Sequence, residues 1–211
     1  MNKRNATVFV VDDDESLRRS LDWLIGSVGL KVRTFPSARA FLKAYRPDSP
    51  GCLVLDVRMP EMSGLELMEQ LCQSRISIPI IFLSAHGDVP MVVRAMQSGA
   101  VDFLQKPFNS QQFLDRVNAA LKRDLEAREK RDSRRQLAQG LAMLTPRERE
   151  ILELVLCGES SKCIASALDI SPKTVEAHRA HITKKLNVRS FNEIMGKIFG
   201  KMISDALHAI Q

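Results

Sequence analysis

The chain has 211 residues, 45% hydrophobic and 27% charged, which is the composition of an ordinary folded protein with room for one large core or two small ones. Its net charge of +6 is shared unevenly: residues 1–124 hold 16 Lys+Arg against 14 Asp+Glu, and residues 125–211 hold 15 against 11, an excess that suits a polyanion partner. No apolar run approaches the roughly 20 residues of a membrane helix, and Met1–Asn5 leads into a strand-like segment without a signal-peptide pattern, so a membrane span is excluded and a cytoplasmic location is expected.

In chain order, short apolar or β-branched runs predict strands at Thr7–Val11, Lys31–Phe35, Cys52–Leu55, Pro79–Leu83 and Val101–Leu104. Helical periods lie between them, at Ser16–Val28, Ser37–Tyr45, Gly64–Ser74 and Pro90–Ser98, and a fifth starts at Ser110. Strands that are apolar at nearly every position are buried on both faces, which means a parallel sheet covered by helices on each side. The expectation is a five-stranded, doubly wound α/β domain over residues 1–124, with its site at the carboxyl ends of the strands.

After Ser110 the chain has no Pro or Gly until Gly140. An apolar stripe of Phe113, Leu114, Val117, Leu121 and Leu125 fades into the charged run from Arg128 to Arg135. This reads as a helix continuing into a solvent-exposed helical linker, residues 125–140. Residues 141–211 read as all-helical. Thr145-Pro146-Arg147-Glu148 has the residues of a capping box with proline at the first helical position, and Gly158 ends that helix. Ser161–Leu168 and Pro172–Leu186 follow, separated by Asp169-Ile170-Ser171, and a fourth helix runs from Ser190 to about Gly200. Cys52, Cys72, Cys157 and Cys163 lack paired metal-ligand spacing and are expected to be free thiols, buried or partly buried.

Chemistry gathers at the predicted strand ends. Asp12 and Asp13 follow the first strand, Asp56 ends the third, Ser84 follows the fourth and Lys106 the fifth. Magnesium takes hard oxygen ligands and keeps several waters, so Asp13 and Asp56, Asp12 through water, and the Arg58 carbonyl form a plausible ligand set. Asp56 can then accept a phosphoryl group, with Lys106 and Ser84 contacting its oxygens. Singly, each is as readily a cap, a turn former or a solvated charge; together, in chain order at strand ends, they point to one pocket.

The segments Val10–Asp14, Leu55–Gly64 and Phe103–Phe108 closely resemble the receiver domain of two-component response regulators. The resemblance implies that Asp56 is phosphorylated by a sensor histidine kinase with Mg2+ present, that Phe103 is the switch aromatic, and that the Lys106-Pro107 bond is cis. His86-Gly87-Asp88-Val89-Pro90 is similar to the FixJ subgroup.

In the helical part, Ser161–Leu168, a three-residue turn and Pro172–Leu186 supply the parts of a helix-turn-helix. Ile164, Ala165, Leu168, Ile170, Val175 and Ile182 are expected to be its buried face. The outward side carries Lys173, Thr174, Glu176, Ala177, Arg179, Ala180, Lys184 and Lys185: basic and hydroxyl groups for phosphates, and Glu176, Ala177 and Ala180 where base edges would be met. A small bundle with an ordinary charged face is the alternative. Leu144–Glu148, Ile164–Ser171, Thr174-Val175, His178 and Lys185–Val188 resemble the DNA-binding domain of the LuxR/NarL/FixJ class, with Ser161 and Cys163 standing where Asn and Glu are common.

The expectation is thus a non-enzymatic transcription factor that binds double-stranded promoter DNA. The resemblance implies that phosphorylation would promote a homodimer through Met91–Gln97, Phe103 and Ser110–Leu121, and that the outcome, with RNA polymerase as the further partner, would be activation. A phosphatase of the haloacid-dehalogenase type also uses an aspartyl nucleophile, but needs a second Asp two positions on, where Arg58 stands. A constitutive DNA binder whose first domain only dimerises is the other competitor; the intact pocket counts against it.

Overall fold

The computed structural model describes residues 6–85 and 89–196. The chain divides into two compact units, residues 1–129 and 130–211.

The first unit is a five-stranded parallel sheet in the order β2-β1-β3-β4-β5. Its strands are β1 (Thr7–Val11), β2 (Lys31–Phe35), β3 (Gly51–Asp56), β4 (Ile80–Ser84) and β5 (Asp102–Gln105), alternating with α1 (Glu15–Ser27), α2 (Ala38–Ala44), α3 (Gly64–Gln73), α4 (Val89–Gln97) and α5 (Ser110–Ala142). Successive side chains of a strand face opposite ways, so the sheet builds two cores. Phe9, Val11, Leu53, Leu55 and Phe82 meet α2 and α3 through Phe41, Leu67 and Leu71. Val8, Val10, Val54, Ile81 and Leu83 meet α1 and α5 through Leu21, Ile25, Phe113 and Val117.

Strand and helix ends follow the sequence reading to within a residue or two, but three expectations about burial need correction. β2 is not buried on both faces: it is an edge strand, and Lys31, Arg33 and Thr34 are exposed. Arg128 is not a solvated linker residue. It is buried against Asp124, its Nε 2.7 Å from Asp124 Oδ2, while its Nη atoms donate to the carbonyls of Asp48 and Ser49. The four cysteines are free, but Cys52 alone is buried; Cys72, Cys157 and Cys163 are exposed on helices or at a helix end. Each lies on a face that packing leaves to solvent.

The second unit holds α6 (Pro146–Leu156), α7 (Ser161–Ala167) and α8 (Pro172–Lys185). Residues 191–196 are also helical, and the rest of the expected fourth helix lies outside the described residues. Leu144, Ile151, Leu152, Ile164, Val175, Ile182, Leu186 and Ile194 form its core, and Leu137 and Leu141 near the end of α5 pack on it. Thr145 and Glu148 form the anticipated capping box.

Candidate functional site

β1 and β3 are adjacent, and the order of connections reverses across them; in open α/β sheets the groove at the carboxyl ends of such strands is the usual ligand site. Asp12 follows β1, Asp56 closes β3, Ser84 closes β4 and Lys106 follows β5, so their chain positions bring them to this edge. Lys106 Nζ lies 2.8 Å from Asp12 Oδ2 and 2.6 Å from Asp56 Oδ1, which places all three side chains in one cluster. Asp12 and Asp56 are 1% and 7% exposed, and Ser84 is buried.

The loops hold these groups in place. Asp12 Oδ1 accepts from the Asp14 N–H, and its main-chain carbonyl accepts from Arg18. Asp56 Oδ2 accepts from the Arg58 N–H at 2.8 Å. The Gly64 N–H donates to the Val57 carbonyl, and a Cβ at Gly64 would stand 2.2 Å from the Asp56 carbonyl oxygen, so only glycine lets α3 start this close to the site. The Lys106 N–H donates to the Ser84 carbonyl, and the following Lys106-Pro107 bond is cis.

Burial pushes the Asp56 carboxyl above its ordinary range; the Asp12 charge adds to this, while Lys106 and the Arg58 N–H offset only part. For Lys106 burial acts downward, but the two carboxylates outweigh it and its pKa is raised. The lysine therefore stays protonated between two crowded carboxylates, a countercharge already directed where an anion would arrive.

Asp13 and Arg58 are exposed beside this cluster. Among the described residues, no three His, Cys, Asp or Glu side chains form a ready-made metal cage. Phe103 on β5 is partly buried and packs on the core, as does Met91. Residues 86–88 of the His86–Pro90 motif lie outside the described residues.

In the second unit, α7 and α8 are joined by a turn in which Asp169 has φ +53, a left-handed conformation that Asp tolerates better than most side chains. Ser160 caps α7 and Ser171 caps α8. Ile164, Ala165, Val175 and Ile182 are buried, and Leu168 and Ile170 are partly buried against them. Lys173, Thr174, Glu176, Ala177, Ala180 and Lys184 are exposed on α8. Two of the group point elsewhere. Lys185 Nζ is 2.6 Å from Glu148 Oε2, and Arg179 donates to the Ser161 hydroxyl and covers the Phe191 ring, 4.8 Å from its centroid.

Sequence reasoning missed Arg18 and Asp124, and named Ser161 only as a departure from the family pattern. The four-residue step from Asp124 to Arg128 was a legible pairing signal on a helix; the contacts of Arg18 and Ser161 exist only after folding.

Two family profiles match. Response regulator receiver domain covers residues 8–118, and bacterial regulatory proteins, luxR family, covers residues 142–196. The transcriptional regulatory protein TdiR of Thauera aromatica is 50% identical over 190 residues, 90% of this chain and 84% of that protein. FixJ of Azorhizobium caulinodans is 43% identical and covers 89% of each chain. Among solved structures, the response regulator StyR has a TM-score of 0.80 at 47% identity, covering 93% of this chain and 99% of that one. Full-length FixJ from B. japonicum has a TM-score of 0.58 at 38% identity, covering 92% and 96%. With both profiles matched in order and relatives aligned along nearly its whole length, the chain belongs to the response regulators that join a receiver domain to a LuxR-type DNA-binding domain.

Proposed function

We propose that this response regulator is phosphorylated on Asp56 by a sensor histidine kinase, and that phosphorylation promotes a homodimer that binds promoter DNA and activates transcription. The observation that carries the reading is the Lys106 ammonium shared between the buried Asp12 and Asp56 carboxylates. An Asp56 oxygen attacks the phosphorus of a phosphohistidine. The P–N bond breaks, the imidazole keeps its electron pair, and an aspartyl phosphate forms. Lys106 follows the transferred charge, and Ser84 offers its hydroxyl to a phosphoryl oxygen.

Receiver domains generally bind Mg2+ at the acidic site, and here Asp12, Asp13, Asp56 and the Arg58 carbonyl would hold it. When bound it offsets the repulsion between these carboxylates and phosphoryl oxygens. The Asp12, Asp13 and Asp56 carboxylates supply hard oxygen donors, while Arg58 contributes main-chain atoms only.

The dimer would use α4, β5 and the start of α5, where Val93 and Met96 are exposed apolar side chains and Phe103 is partly buried. The basic and hydroxyl residues of α8, Lys173, Thr174 and Lys184, would contact phosphates, and Glu176, Ala177 and Ala180 would meet bases. RNA polymerase is the expected further partner. Among the described residues no helix is long and apolar enough to cross a membrane, and we place the protein in the cytoplasm. Catalysis of a reaction on an outside substrate has no support in this arrangement: the position two residues after Asp56, which an aspartyl-nucleophile phosphatase needs as an acid, is Arg58.

The test is intact-mass analysis after incubation with a small-molecule phosphodonor and magnesium. The wild type is expected to gain one phosphoryl group and Asp56→Asn none. A phosphoryl adduct of equal yield on Asp56→Asn would move the acceptor elsewhere.

A further inference from the structure

Three side chains tie α7 to α8 on the outward side of the helix-turn-helix. The Ser161 hydroxyl donates to Glu176 Oε1, and Arg179 Nη1 donates to the Ser161 oxygen at 2.8 Å. Arg179 Nη1 also lies 3.7 Å from Glu176 Oε1, and its guanidinium is seated over Phe191. A serine at the start of a helix ordinarily caps it. Here that task belongs to Ser160, whose hydroxyl accepts from the Cys163 N–H, so the Ser161 hydroxyl is available for the cross-helix contacts. A hydroxyl has one proton to give, and that proton goes to Glu176.

Glu176 is the anomaly on this surface. It is an exposed carboxylate on α8, which also exposes Lys173 and Lys184, on the helix read here as meeting DNA. Repulsion by the DNA backbone makes it a liability unless its charge is offset and its oxygens meet a donor. Arg179 supplies the offset one helical turn away. Both contacts fall on Oε1, which leaves Oε2 without a partner among the described residues. A carboxylate that meets a base edge in the major groove accepts from the exocyclic amino group of cytosine.

We propose that Ser161 is a specificity-determining positioning residue: by fixing Glu176 Oε1 and Arg179 together it aims Glu176 Oε2 at the N4 amino group of a cytosine in each half-site. The inference rests on the reading of Glu176 as a base-contacting residue. Arg179 is then an internal brace more than a phosphate contact, and Ser161 decides which base pair is preferred without touching DNA.

The test is selection of binding sites from randomised duplexes by the full chain, comparing wild type, Ser161→Ala, Ser161→Thr, Glu176→Ala and Glu176→Gln. Affinity for a non-specific duplex and thermal melting are measured alongside. Wild type is expected to enrich one C·G pair per half-site. Ser161→Ala should lose about tenfold discrimination at that pair alone, with non-specific affinity and melting unchanged, and Ser161→Thr, which keeps the hydroxyl, should restore it. Glu176→Ala and Glu176→Gln should lose the same preference. If the Glu176 variants keep the wild-type profile, the base-contact reading of Glu176 falls, and this inference with it. If they change it and Ser161→Ala does not, only the positioning role is overturned. A uniform loss at every position in Ser161→Ala would show a structural role and overturn it as well.

Discussion

Burial alone would raise the Glu148 carboxyl, but the Lys185 ammonium at 2.6 Å and hydrogen bonds from the Thr145 N–H and hydroxyl outweigh it and hold its pKa at about 2, against 4.5 ordinarily. A carboxylate whose folded pKa is depressed adds stability that is fully present above its unfolded pKa and is lost as pH falls through the folded value. The window here runs from about 4.5 down to about 2. Over that range the helical unit should lose the stability this group contributes. Glu148→Gln should melt lower at neutral pH and show a shallower decline in acid, read by thermal melting as a function of pH. Equal slopes for the two proteins would remove Glu148 from the acid response. Lys185, read from its place on α8 as a DNA contact, is thereby given a second partner inside its own unit.

At the scale of an element, α5 is held to the receiver beyond its apolar stripe. Phe113, Val117 and Leu121 pack on the sheet, and one turn further Asp124 accepts from the Gly51 N–H while Arg128 closes on Asp124, Asp48 and Ser49. A charge pair this deep adds little over a well-packed apolar pair, yet removing one member strands the other. Arg128→Met should therefore destabilise the receiver by about 3–5 kcal/mol, and Asp124→Leu combined with Arg128→Met should recover much of the loss. Urea denaturation of the full chain measures both. A single variant as stable as wild type would mean that the pair does not anchor the helix. The start of β3 hangs on the same contact, so the anchor links the last helix of the receiver to the strand that ends in Asp56.

For the whole molecule the proposed switch is one of association. Light scattering of the full chain with magnesium and beryllofluoride, a mimic of the aspartyl phosphate, should show a shift from monomer to dimer in wild type and none in Asp56→Asn. A wild type that binds the mimic and keeps its mass would rule out phosphorylation-driven dimerisation. Val93 and Met96 make the site of association testable in the same experiment, because charged substitutions there should block the shift while leaving phosphoryl transfer intact.

Local chemistry was enough to locate most of the architecture and the acidic cluster. Thr7–Val11 and Lys31–Phe35 are strands with the expected ends, Thr145 and Glu148 cap α6, and Asp12, Asp56, Ser84 and Lys106 sit at strand ends because apolar runs stop where the sheet stops. These follow from periodicity and side-chain type, which act over a few residues and are written directly in the chain. Tertiary structure decided the rest. Topology put β2 at an edge and left Lys31, Arg33 and Thr34 exposed, folding brought Asp48 and Ser49 to Arg128 and turned a run of charge into a buried anchor, and the approach of α7 to α8 let Ser161 bridge Glu176 and Arg179. Burial and partnership of a charged or hydroxyl group depend on residues distant in the chain, and only the packed elements bring those together.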